Sequence, residues 1–164
     1  MAYLKFSIGI FFTLALSRFI PHPPNFTSLL ALSFYIPVLL GMKFLPALLI
    51  SFVITDFIIG LHGLTLFTWG SIILIGLMSK FFRLGIKIRI LGALMGACLF
   101  YLITNFGVWS LGSYGYTLKG LINCYLMAVP FFTSTILSTL IFSLLIEFVY
   151  YIYNSKFNFF SKSN

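Results

Sequence analysis

Lys80-Phe-Phe-Arg83-Leu-Gly-Ile-Lys87-Ile-Arg89 runs directly into Ile90-Leu-Gly92-Ala93-Leu-Met-Gly96-Ala97-Cys98-Leu-Phe-Tyr-Leu-Ile-Thr104-Asn105-Phe-Gly107. Four basic residues precede a long run without a single charge. A run of about 20 apolar residues crosses the hydrocarbon core of a bilayer as one helix. Lys and Arg gathered at one end of it mark the cytoplasmic side. The rest of the chain repeats this grammar. Of 164 residues, 61% are hydrophobic and 7% charged, and the mean hydropathy is +1.13. A soluble domain carries about 25% charged residues. The composition excludes a cytosolic enzyme, a disordered chain and a disulfide-stapled secreted domain. It specifies an integral membrane protein.

Six apolar stretches predict six transmembrane helices, at 3–20, 27–42, 44–60, 64–79, 90–107 and 121–147. Pro37 predicts a kink in the second. Pro46 falls in the first turn of the third, where its missing N–H costs nothing. Pro130 falls near the start of the sixth. The expected fold is all-α, a six-helix bundle formed by one transmembrane domain over 1–155, with a short cytoplasmic tail over 156–164. With the N-terminus inside, Lys5, Lys43, Lys80, Arg83, Lys87, Arg89, Lys156 and Lys162 lie on the cytoplasmic side, and only Arg18 and Lys119 lie outside. That asymmetry places both termini in the cytoplasm. The net charge of +8 therefore reads as orientation, and no nucleic-acid partner is expected.

Lys5, the apolar run after it and Ala15-Leu-Ser17 also fit a signal peptide with a cleavage site. Gly9, Thr13 and Ser17 favour a retained helix instead, since their spacing of four makes a small-residue face of the kind membrane helices pack on. Gly92 and Gly96, beside Ala93 and Ala97, form a second such face. Cys98 and Cys124 fall at different depths and read as small buried hydrophobes.

Polar residues concentrate on the outer side. Arg18, His22, Asn25 and Thr27 share the first outer loop. Asp56 and His62 flank the second. Thr104, Asn105, Trp109, Tyr114, Tyr116 and Thr117 flank the third, and Tyr125 opens the sixth span. Outer aromatics that supply stacking faces, with amides and imidazoles to orient, suit a small planar or polar ligand. His22, Asn25, Asn105, Trp109, Tyr116 and Tyr125 are the candidate ligand-binding residues. Singly, Trp and Tyr at such positions are also ordinary interface-belt residues.

Asp56 is an acid one turn below the outer end of its span, a costly position unless paired. Arg18 lies at similar depth, so an Arg18–Asp56 ion pair is expected. Glu147, at the inner end of the sixth span, reads as structural. These two acids lie at opposite faces and cannot act as an acid/base pair. No nucleophile–base constellation, P-loop or metalloprotease helix is present. Neither catalysis nor a cofactor is expected. His22 and His62 lack a third ligand, so no metal is expected. Asn25-Phe-Thr27 fits a glycosylation pattern but abuts the membrane.

The run Arg18-Phe-Ile-Pro21-His22-Pro23-Pro24-Asn25-Phe26-Thr27, followed by Thr55-Asp56, Thr104-Asn-Phe-Gly-Val-Trp109 and Cys124-Tyr125 to Pro130-Phe-Phe132, resembles a bacterial multi-pass membrane family of unknown function. That family is similar to the substrate-binding S components of energy-coupling-factor vitamin transporters. The resemblance implies a six-helix bundle in the bacterial plasma membrane, a ligand site near the outer face and a gate at Pro21 to Pro24. It also implies an energy-coupling transmembrane/ATPase module as partner. The first span lacks the Ala-x-x-x-Ala pair used for docking on such a module, so a solitary carrier is the variant expectation. Two functions follow. One is a transport component that captures a vitamin-like molecule or its precursor. The other is a non-transporting scaffold or assembly subunit, which would spread its polar residues along lateral faces or the inner end.

Overall fold

Every side chain from Leu29 to Pro37 is buried, and this short segment is the axis of the molecule. The computed structural model describes residues 2–162, with side chains over 3–155. It is all-α, with α1 (Ala2–Phe19), α2 (Leu29–Leu39), α3 (Leu45–Ile59), α4 (Thr65–Met78), α5 (Ile86–Ser110), α6 (Leu118–Met127) and α7 (Val129–Lys162). One-turn 3-10 segments precede α3 and follow α4. No strand occurs among the described residues. A helix apolar on every side belongs in the interior. α2 meets this condition, packing against α3, α4, α5 and α7, while α1 lies outside on α3. At 11 residues α2 is about 16 Å long, too short to cross a bilayer alone. Pro37 and Gly41 stop it. Pro37 withholds an N–H from the helix ladder, and Gly41 at φ 100° turns the chain toward α3.

Among the described residues three stretches, rather than six, are long and apolar enough to cross a membrane: Met42–Ile59, Ile86–Ser110 and Val129–Ser155. Leu29–Leu39 and Thr65–Phe81 are apolar but shorter. The expected sixth span is two helices broken at Ala128, because Pro130 lacks the N–H that would bond one turn back and its ring crowds the Leu126 carbonyl. α5 starts at Ile86, so Lys87 and Arg89 belong to its first turn. The backbone of α7 continues to Lys162, past the expected domain edge at 155. The side chains of Lys156 and Lys162, and residues 163–164 of the expected tail, lie outside the described residues.

The surface is far more apolar than that of a water-soluble bundle, around an apolar core that also takes in small polar side chains. Ser33, Ser51, Thr55, Asp56, Ser71 and Ser79 are buried, while Phe12, Phe57, Leu66 and Val149 are exposed. Burying apolar area from water cannot drive this arrangement; lipid outside and small or hydrogen-bonded side chains inside can. The Gly92–Gly96 face is one place where that packing is tight. A Cβ on Gly92 would sit 2.6 Å from the Phe34 ring of α2, and one on Gly96 would sit 3.1 Å from Ile75 of α4. The Gly9 face behaves differently: nothing lies within 4 Å of a Cβ there, and Thr13 is exposed.

Candidate functional site: a cavity under the first outer loop

Three prolines stiffen the loop between α1 and α2, and Asn25 turns it at φ 62°, a left-handed conformation that Asn tolerates better than most residues. The loop folds back over the bundle. Ser138 Oγ of α7 donates to the Asn25 carbonyl at 3.4 Å, and the Phe26 ring packs 6.4 Å from that of Phe142. Beneath it lies a half-open cavity of about 420 Å³, bordered by this loop, the α3–α4 turn, the outer halves of α5 and α6, and the start of α7. Asn25, His62, Tyr101, Thr104, Asn105 and Tyr114 bring polar groups to an otherwise apolar wall that includes Phe100, Phe131 and Phe132.

Local bonds orient these groups. His62 Nδ1 accepts the Leu64 N–H at 3.2 Å, which leaves Nε2 to carry the proton. The His62 backbone is locked by Thr65, whose Oγ1 accepts the His62 N–H and donates to the His62 carbonyl. Asn105 Nδ2 donates to the Tyr101 carbonyl at 2.8 Å, so its Oδ1 is the free acceptor. Tyr101 and Tyr125 clasp α5 to α6 crosswise. The Tyr101 hydroxyl donates to the Tyr125 carbonyl, and the Tyr125 hydroxyl donates to the Leu102 carbonyl. The cavity thus presents a donor at His62 and an acceptor at Asn105, between aromatic faces.

Two of the six candidate ligand residues, Asn25 and Asn105, line the cavity. The other four lie outside its wall. His22 is exposed, its Nδ1 on the Pro23 carbonyl at 2.8 Å. Tyr116 is exposed and meets Trp109 edge-on, with ring centres 6.3 Å apart. Tyr125 faces α5. The lining residues that sequence reasoning left out include Tyr101, Phe100, Phe131 and Phe132, plus His62, weighed there only as a metal ligand. The spacing of Tyr101 to Asn105, one helical turn, was the available signal. Among the described residues no three His, Cys, Asp or Glu side chains converge on a point where a metal ion would be held.

Below the second outer turn the structure brings Arg18 and Asp56 together. Arg18 Nη2 donates to Asp56 Oδ1 at 2.6 Å, and Nη1 donates to Thr55 Oγ1 at 2.5 Å. Trp69 Nε1 donates to Asp56 Oδ2, also at 2.6 Å. The guanidinium rests 4.6 Å from the Phe52 ring centre. One buried carboxylate therefore ties α1, α3 and α4 together. At the other end Arg89 Nε and Nη2 form a two-pronged pair with Glu147 Oε1 and Oε2, each at 2.6 Å, joining α5 to α7.

Residues 3–160 match the model of a family described as "Family of unknown function (DUF6580)". No curated protein and no solved structure matches the chain.

Proposed function

The chain belongs to this family of unknown function, and from that premise we propose that it is a multi-pass membrane component that captures a small, partly planar polar molecule on the outer side. The observation that carries the proposal is the 420 Å³ cavity, whose size falls in the range of small-molecule sites and whose wall joins aromatic faces to a few oriented polar groups. In this reading α1, α3, α4 and α5 are spans, the short enclosed α2 crosses only together with its flanking residues over 27–42, and α6 with α7 forms the sixth. The termini are cytoplasmic, as the excess of Lys and Arg on the inner side requires. The membrane is the bacterial plasma membrane. The ligand class is that of vitamins and their precursors, and the protein works as an S-component-like carrier, alone or on an energy-coupling module. The loop from Pro21 to Asn25 is the cover through which the ligand enters.

The test is a thermal-shift screen of purified protein against vitamins and their precursors. A hit should stabilise the wild type. Asn105→Ala and His62→Phe each remove one polar contact, which costs about 1–3 kcal/mol, or roughly 5- to 150-fold in affinity. Tyr116→Ala, outside the cavity wall, should bind normally. A ligand that binds all three variants equally places the site elsewhere. No binder in a broad panel, with co-purification of a membrane complex, favours the scaffold function.

A further inference from the structure

Four side chains on α7 follow one another at intervals of four residues: Thr135, Thr139, Ser143 and Glu147. All are at least 96% buried. Each step advances about 6 Å along the helix, so the row covers about 18 Å. It starts in the outer cavity, whose wall includes Thr135, and ends on the Arg89–Glu147 pair. Opposite its inner end stands Tyr35 of the central helix α2, beside Ser143 and Glu147.

Two hydroxyls of this row, those of Thr139 and Ser143, are unlike the other buried hydroxyls of the bundle. A Ser or Thr in an apolar helix normally donates back to a carbonyl one turn earlier. Ser33, Ser51, Ser71, Ser79 and Thr135 do so. Thr139 Oγ1, Ser143 Oγ and the Tyr35 hydroxyl have no partner within 3.5 Å, although the Tyr35 hydroxyl lies close enough to Glu147 and Ser143 to interact with both, and the one further such buried polar side-chain atom among the described residues is Trp109 Nε1. Buried polar groups left open in this way are satisfied by ordered water. A spacing of about 6 Å between successive hydroxyls is too long for a direct bond and suits one bridging water.

We propose that this row holds a file of water that carries protons between the outer cavity and Glu147, making Glu147 a proton-binding site at the inner end of the bundle. The Thr139 and Ser143 hydroxyls each accept on one side and donate on the other, while Thr135, whose hydrogen is held by the Phe131 carbonyl, offers only an acceptor at the mouth of the row. A hydronium in the cavity loses its proton to the first link and becomes water. The last link passes a proton to one Glu147 carboxylate oxygen. That oxygen then gives up its bond from Arg89, and the guanidinium keeps its charge and its second bond. The groups facing Glu147 are Arg89 of α5, Tyr35 of α2 and Ser143 of α7 itself, while Tyr150 of α7 stacks on the far side of Arg89 at 5.6 Å. The inference goes beyond ligand capture and holds for Glu147 whether or not the cavity takes an organic ligand. Joined to that function, it names the proton as a coupling species.

The chain offers an unusually clean assay, because Asp56 and Glu147 are its only acidic side chains. Infrared difference spectra of the protein in lipid vesicles, titrated in pH, read the carbonyl stretch of a protonated carboxylic acid directly. The expected result is a titrating band that Glu147→Gln abolishes, Glu147→Asp displaces in frequency, and Asp56→Asn leaves in place. A pH jump on the outer face should populate the band quickly in the wild type and slowly in Thr139→Val/Ser143→Ala. A band that survives Glu147→Gln, or no titrating band in the wild type, overturns the site. An unchanged rate in the Thr139/Ser143 variant overturns the file. Should Glu147→Gln fail to fold, the Glu147→Asp frequency shift makes the same assignment, and a band that does not move with it rejects Glu147.

Discussion

The two acids of this chain are both buried beside an arginine, at opposite ends of the bundle, yet they are held in different ways. Asp56 gives its two oxygens to two helices, one to Arg18 of α1 and one to Trp69 of α4. Its arginine is in turn fixed by Thr55 and stacked on Phe52. Glu147 gives both oxygens to a single residue, Arg89, while the Tyr35 and Ser143 hydroxyls stand close by with no partner within 3.5 Å. The outer cluster is a saturated clasp of three helices. The inner one is a two-point fork with donors to spare. A carboxylate whose partners are all engaged can only be kept or broken, whereas one bordered by open hydroxyls can exchange a bond for a proton. The difference assigns architecture to the outer pair and leaves room for chemistry at the inner one.

The largest effect should come from removing one arginine. Arg18→Leu leaves Asp56 uncompensated in the interior, and Arg89→Leu does the same to Glu147. Breaking a buried pair in this way costs about 3–5 kcal/mol. Arg18→Leu/Asp56→Leu should lose less than the sum of its two single variants in an unfolding cycle in detergent–lipid micelles. Strict additivity at the outer pair would undo the picture of a clasp.

Trp69→Phe probes the same clasp more gently. It keeps the aromatic volume and deletes one hydrogen bond to a charged oxygen, for an expected loss of about 1.5–3 kcal/mol. In an Asp56→Asn background the loss should shrink toward that of a neutral bond. An unchanged loss would show that Trp69 matters through packing alone.

These two clusters also measure how far the sequence can be read. Arg18 and Asp56 announce themselves, since a lone acid and a lone base at matching depth have few other solutions in lipid. Trp69 carries no such signal: a tryptophan in an apolar helix looks like any belt or core residue. Glu147 sits so near the basic inner loops that it reads as an end-of-span charge. That Arg89 is its partner emerges only when α5 starts four residues earlier than its apolar run. Membrane class, helical architecture and the outward concentration of polar groups are legible from composition and periodicity. The central place of α2 is not, because an 11-residue apolar segment bounded by Pro37 and Gly41 resembles a short span as much as an enclosed core. The cavity wall was only half legible for a related reason. Exposed-looking aromatics such as Trp109 and Tyr116 advertise a site. The residues that line it, Tyr101 and Phe132, lie one or two turns deeper, where aromatic side chains are unremarkable in a membrane helix.

Tyr35→Phe should produce the smallest change, and it decides whether the two ends truly differ. The Tyr35 hydroxyl is buried and unbonded to protein. Deleting it removes no protein–protein hydrogen bond within 3.5 Å, so stability should move by less than about 1 kcal/mol, in either direction. The contrast with Trp69→Phe is the point of the measurement. Both variants delete one donor beside a buried carboxylate and both keep a ring in place. If Trp69→Phe costs severalfold more than Tyr35→Phe, the outer carboxylate depends on every donor it has and the inner one does not. If Tyr35→Phe instead costs about 1.5–3 kcal/mol, its hydroxyl is bonded directly to Glu147, as a donor to a charged group would be. Glu147 would then be as fully engaged as Asp56. Its inner pair would become a second clasp, now joining α2, α5 and α7, and the water file would lose its last link.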